Sequence, residues 1–170
     1  MAEAVRLSFE AGHRITLTKT VTDQDVRDFA RLSGDTQGFH VDDEAARQSR
    51  FGQRIAHGTL AIGFISAVLG TRLPAPHESV SYLSQTAKFH RPMYIGDTIT
   101  VIVEVTKVDH RRRLAVLTTV CTNQRQEIVL RGEATVLVDP FPYLHAAPGR
   151  ASERTVQHGN NVERNAHVCP

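Results

Sequence analysis

Cysteine is scarce: the 170-residue chain has 2. Cys121 sits in an apolar run and Cys169 beside the C-terminus, so they offer neither a disulfide framework nor metal-ligand spacing. A reducing compartment follows as the simplest expectation. Charge of one sign is also lacking, with 20 Lys and Arg against 18 Asp and Glu for a net charge of +2. No long basic run or basic patch interleaved with aromatics occurs, which argues against nucleic acid as a partner. Any anionic partner must be bound locally. No stretch approaches the ~20 uninterrupted apolar residues of a membrane span. The opening MAEAVRLSFEAGHR is broken by charges before a signal-like core can form. The expectation is a soluble cytoplasmic protein. Apolar residues at 41% and charged residues at 22% are ordinary for a globular chain of this length, which suits one well-buried core.

The order of patterns along the chain predicts an α+β domain. An edge strand is expected around Arg14 to Lys19. The stretch TVTDQDVRDFARLSGD then places Val26, Phe29, Ala30 and Leu32 at helical spacing, with Thr22 as cap, Asp25 three residues on, and Gly34 as the stop. A second short helix, DDEAARQSRFG, is acidic at its start and basic towards its end; Gly52 is expected to stop it and Phe51 to pack it down. From Gly58 to Leu69 the chain is apolar on nearly every face, which predicts a helix buried all round. Four runs rich in β-branched residues follow, Val80 to Phe89, Thr98 to Val108, Leu114 to Thr122 and Ile128 to Val138, separated by turn-like GD, DHRRR and NQRQE. Helices followed by strands predict an antiparallel sheet wrapped around one buried helix. That places the domain at 1–140. Residues 141–170 lose the apolar period and read as a loosely ordered tail, whose three histidines and Cys169 are too irregularly spaced for a metal site.

Between the first two helices, SGDTQGFHVDDEAA sets Asp35 and His40 across a Thr-Gln-Gly-Phe turn. This stretch, followed by FGQRIAHGTLAIGFISAVLG and later KFHRPMYIGDTITVIVEV, resembles the hydratase motif and central helix of MaoC-like, (R)-specific enoyl-CoA hydratases. The resemblance runs from roughly Thr16 to Val138 and implies the hotdog fold. The family motif is an aromatic, a small residue, Gly-Asp, any residue, Asn-Pro, an aliphatic residue, His and a later small residue. Phe29, Ser33, Gly34, Asp35, Thr36, Gln37, Gly38, Phe39, His40 and Ala46 hold those places. Asp35 and His40 match; Gln37, Gly38 and Phe39 depart. Glycine in place of proline frees the backbone, predicting a looser turn, and the bulkier Phe39 is expected beside the path of an acyl chain.

Adding water to a 2-enoyl thioester needs a base for water at C3, a proton for C2, and a donor for the thioester oxygen as charge develops on it. Asp35 is the expected base, made stronger by burial beside an apolar acyl tunnel, with His40 orienting the water and taking part in proton transfer. Gly58, at the start of the buried helix, offers an N–H and room for a ligand oxygen. The resemblance points to the same amide, and implies that Ser66 contacts the catalytic pair. His57 reads as structural and Gly63 as helix packing. No metal or cofactor is called for. Lys88, His90, Arg91, Arg111, Arg112 and Arg113 are candidates to meet coenzyme A phosphates or an acidic acyl carrier protein. The expected reaction gives an (R)-3-hydroxyacyl thioester. A hotdog thioesterase and a non-catalytic acyl-binding subunit are the rivals. A single hotdog leaves a sheet edge unpaired, so a homodimer or a dimer of dimers is expected.

Overall fold

The computed structural model describes residues 6–140. The elements are β1 (Arg14–Thr20), α1 (Asp23–Ser33), α2 (Gly38–Val41), α3 (Asp43–Gln48), α4 (Leu60–Thr71), β2 (Glu78–Phe89), β3 (Thr98–Asp109), β4 (Leu114–Thr122) and β5 (Ile128–Pro140). The strands form one sheet in the order β1-β3-β4-β5-β2, antiparallel throughout. Helix α4 packs against β3 and against both edge strands, so the sheet curls around it. The proposed tail at 141–170, with Cys169, lies outside the described residues.

One sheet face carries the core. Ile99, Val101, Val103 and Val105 on β3, Ala115, Leu117 and Cys121 on β4, and Ala134, Val136 and Val138 on β5 are all buried. Register slips switch that alternation, as on β2 and β3. On β2 the register slips between Tyr82 and Ser84, and on β3 between Val105 and Lys107, so residues of the opposite parity face the core beyond each slip. Cys121 is a free core thiol whose burial pushes its pKa up to about 12, so it packs as a small apolar residue.

The first helix forms as its caps dictate. Thr22 Oγ1 accepts from the Asp25 N–H at 3.1 Å, the Asp25 carboxylate accepts from the Thr22 N–H at 2.8 Å, and Gly34 closes the helix at φ 78°. Leu32, expected on its apolar face, is instead 80% exposed, because the stripe that faces inward is Val26 and Ala30. Helix α3 ends at Gln48 with Ser49 as its cap rather than at Gly52, and the Ser49 hydroxyl takes up both the Ala46 carbonyl and the Phe51 N–H. Phe51 packs on Phe39 with ring centroids 5.4 Å apart.

Helix α4 begins at Leu60, leaving Gly58 in the turn before it. It is not buried all round. Ala61, Phe64, Ile65, Val68 and Leu69 face the sheet, while Gly63, Ser66, Ala67 and Gly70 form an exposed face of small residues. The sheet curls round one side of α4 only and leaves the other uncovered.

The turn at Gly38 is not loose. It starts the short helix α2, and a Cβ at Gly38 would lie 2.8 Å from the Ala45 Cβ on α3. Glycine there permits close helix contact, and a proline would bring the same Cβ into Ala45. Gly38→Ala should therefore cost ~1–3 kcal/mol of stability by overpacking. In a double-mutant cycle by chemical denaturation, adding Ala45→Gly should reveal a favourable coupling of ~1 kcal/mol or more; strictly additive losses would refute the contact.

Candidate active site

Three segments meet at His40. Helix α2 carries it, the α1–α2 linker carries Asp35, and the stretch Ile55–Gly58 runs beneath both. That stretch is pinned in an extended form. The Ile55 N–H donates to the Phe39 carbonyl at 3.2 Å, the Ala56 N–H to the Met93 carbonyl at 2.8 Å, and Ile55 bridges to Tyr94. The largely buried Arg54 sits just before it, paired with Asp23 at 2.6 Å and Asp43 at 2.7 Å. Its guanidinium ties the starts of α1 and α3 together, and so brackets the loop between them.

His40 is 5% exposed. A buried imidazole needs a partner, and its Nδ1 donates to the Ile55 carbonyl at 2.8 Å. That leaves Nε2 as the unprotonated nitrogen of the neutral ring. Burial pushes the His40 pKa below its ordinary value of 6.5; the neighbouring His57 pushes the same way, against the Ile55 hydrogen bond and the Asp35 carboxylate. His40 is therefore mainly neutral at neutral pH.

Asp35 is exposed, not buried in an apolar tunnel as the sequence suggests. It follows the left-handed Gly34 cap, which turns the chain outward. Its carboxylate accepts from the Gln37 N–H at 3.3 Å, closing a small turn that fixes the side chain. An oxygen of this carboxylate and a ring nitrogen each of His40 and His57 lie within 4.8 Å of one another. One water making hydrogen bonds of ~2.8 Å can bridge two groups so spaced. The trio has the residue types of a metal site but not the directions. The two imidazoles are stacked with centroids 3.8 Å apart and planes 24° apart, so their in-plane lone pairs do not converge on one ion at ~2.0–2.1 Å.

An open cavity of about 310 Å³ adjoins His40, walled by Phe39, Phe51, Phe89 and Met93 and continuing to Gly58. Phe39 thus stands where the sequence places it, with its ring edge-on to His40 at 4.4 Å. The Gly58 N–H has no protein acceptor among the described residues. Phe89 closes over the α-carbon of Gly58; a Cβ there would come within 3.0 Å of its ring. Ser66 lies on the exposed face of α4 and does not line this cavity.

Of the basic candidates, His90 and Arg91 line the cavity, joined by Arg50, whose guanidinium lies 4.8 Å above the Phe51 ring. Arg111, Arg112 and Arg113 sit in the β3–β4 turn, at the opposite end of the sheet from Val129 in the cavity wall, and Lys88 points elsewhere. Arg50 escaped notice in the sequence because an arginine at the end of a short amphipathic helix reads as a solvated charge.

The MaoC like domain family matches residues 8–125. The chain belongs to that family. The "(R)-specific enoyl-CoA hydratase" of Rhodospirillum rubrum is 45% identical over 127 residues, 75% of this MaoC-like chain and 86% of the relative. The "3-hydroxybutyryl-CoA dehydratase" of Methylorubrum extorquens is 44% identical over 129 residues, 76% of this chain and 80% of the relative. Among solved structures, the (R)-hydratase from A. caviae involved in PHA biosynthesis aligns with a TM-score of 0.72 at 35% identity, covering 76% of this chain and 97% of that one. The curled sheet around α4 is the hotdog fold of these MaoC-like proteins.

Burying His40 as a neutral ring links its protonation to folding. Its folded pKa is depressed, so the unfolded chain takes up a proton first as pH falls through ~6.5. Its contribution is fully present above that pH and is lost progressively down to the folded pKa. Denaturant titrations from about pH 7.5 to 5.5 should show the wild type losing stability faster than His40→Gln. Parallel pH profiles would contradict a buried neutral His40.

Proposed function

We propose that this site adds water to a 2-enoyl thioester, and in reverse dehydrates the (R)-3-hydroxyacyl thioester, carried on coenzyme A or an acyl carrier protein. The observation that carries the reading is the buried His40, its Nδ1 hydrogen committed to Ile55, standing within one water's reach of the Asp35 carboxylate. A water held by the two has one hydrogen on Asp35, the other on His40 Nε2, and a lone pair directed at C3. As the C3–O bond forms, the hydrogen facing Nε2 passes to the imidazole. The Gly58 N–H holds the thioester oxygen while charge develops there. The imidazolium then returns a proton to C2, and the carbonyl reforms. His40 suits this relay because its depressed pKa makes the imidazolium a ready donor. The roles expected from the sequence are thus exchanged, with His40 moving the proton and Asp35 orienting the water.

The aromatic walls suit an acyl chain, and Arg50, His90 and Arg91 beside them suit the phosphates of either carrier. The names of the two curated relatives point to the same substrate class. We assign the reaction to the cytoplasm, a reducing compartment that suits a chain with 2 cysteines. Among the described residues no helix is long and apolar enough to cross a membrane.

Association completes this reading. Strand β2 is a sheet edge, with Leu83 at its bulge 54% exposed, and it adjoins α4, whose outer face carries Gly63, Ala67 and Gly70. A second copy meeting that edge would pair its backbone and cover the small-residue face, giving a homodimer or a dimer of dimers built from it.

Asp35→Asn and His40→Gln should each lower kcat on crotonyl-CoA by at least ~10²-fold with the fold intact. Enoyl absorbance should fall in the wild type without release of free thiol; thiol release would establish a thioesterase, and tight binding without turnover a non-catalytic subunit. Ala67→Arg should split the dimer, with turnover falling in step with dimer content measured by light scattering. A fully active monomer would refute the dimeric arrangement.

A further inference from the structure

His57 reads from the sequence as a packing residue, yet it touches every part of the site without lining the cavity. It is 1% exposed. Its Nε2 donates to the Asp35 backbone carbonyl at 2.9 Å. Its ring stacks on His40 at 3.8 Å and meets Phe29 at 4.9 Å on α1. Its own carbonyl, joined to Gly58, accepts the Leu60 N–H at 3.0 Å as α4 begins. Its Nδ1 is buried with no hydrogen-bond partner among the described residues. Packing alone does not account for that atom, since a phenylalanine would fill the same slot without burying an unpaired nitrogen.

We propose that His57 is a positioning residue, its side chain holding Asp35 and His40 in one mutual geometry while taking no part in the proton transfers itself. Asp35 needs such an anchor. It stands exposed on a linker whose preceding residue is a left-handed glycine, and the bond from His57 ties its backbone to the core. The stack restricts the tilt of His40 about the Nδ1–Ile55 bond, and so the aim of Nε2. Misplacing a reacting group by about 1 Å can cost ~10²-fold in rate. The proposal rests on the hydratase reading above.

The test is kinetics of the full chain on crotonyl-CoA with His57→Phe, which keeps a ring and removes the donor, and His57→Gln, which restores a donor near the Nε2 position. His57→Leu, smaller and likewise without a donor, replaces the phenylalanine variant if that one fails to fold. His57→Phe should lower kcat ~30-fold or more with KM within ~3-fold and an unchanged melting point, and His57→Gln should recover ~10-fold of that loss. The acid limb of kcat/KM should also move to higher pH in His57→Phe. The imidazole that opposes protonation of His40 is then gone, while Asp35, the Ile55 carbonyl and the neighbouring Arg50, His90 and Arg91 remain. Wild-type kcat in His57→Phe, an unmoved acid limb, or a glutamine variant no better than phenylalanine would overturn the proposal. If Asp35→Asn and His40→Gln lose activity while His57→Phe does not, only this inference falls; if all three keep wild-type turnover, the hydratase reading falls with it.

Discussion

The hydrogen bond from His40 Nδ1 to the Ile55 carbonyl is the constraint on which the site depends. A buried imidazole left unpaired would destabilise the fold, so the bond both allows the ring to be buried and determines which nitrogen is free for chemistry. Ile55 can serve because its own position is over-determined, from one side by Phe39 and from the other by Tyr94 and the adjoining Ala56–Met93 bond. Helix α2 and the bridge to Tyr94 are thus locked together at one residue, Ile55. Connecting segments are usually mobile; here Ile55 and Ala56 are held by backbone pairing with Tyr94 and Met93 in the connection between β2 and β3.

The departure from the family motif is compensated locally. Glycine at 38 would free a turn if nothing touched it, but the Ala45 Cβ occupies the space that a Cβ at 38 would need. Glycine is thus the residue that lets α2 and α3 meet closely, and it holds the turn that carries His40. Phe39 then gains neighbours on both sides, His40 edge-on and Phe51 across the cavity wall, with Arg50 capping the latter. The altered positions shape the aromatic wall of the cavity while leaving Asp35 and His40 in reach of each other.

Several local rules were legible in the sequence, although the helix stop expected at Gly52 was not, since Ser49 ends α3 first. The capping box of Thr22 and Asp25 and the bounds of the four later strands follow from side chains a few positions apart, and Asp35 with His40 could be paired from one motif. What escaped depends on distant contacts. Leu32 has helical spacing yet faces solvent, because only the packed chain determines which stripe points inward. The apolar run of α4 carries Gly63, Ser66, Ala67 and Gly70 at helical spacing, yet only the packed chain shows that this face is left uncovered. Asp35 looks buried in a motif and is exposed in space. His57 had no signal of its own, since a lone histidine before a glycine acquires meaning only when the fold brings it against His40 and the Asp35 carbonyl.

The central claim is that one water, held between Asp35 and His40, supplies both the oxygen at C3 and the proton at C2. Hydration of crotonyl-CoA in deuterated water tests it most directly, with the relative configuration at C2 and C3 of the product read by NMR. A single water on one face of the double bond requires syn addition, the C2 deuterium and the C3 oxygen arriving on the same side. Anti addition would place the proton donor on the opposite face and contradict the arrangement of Asp35 and His40 described above.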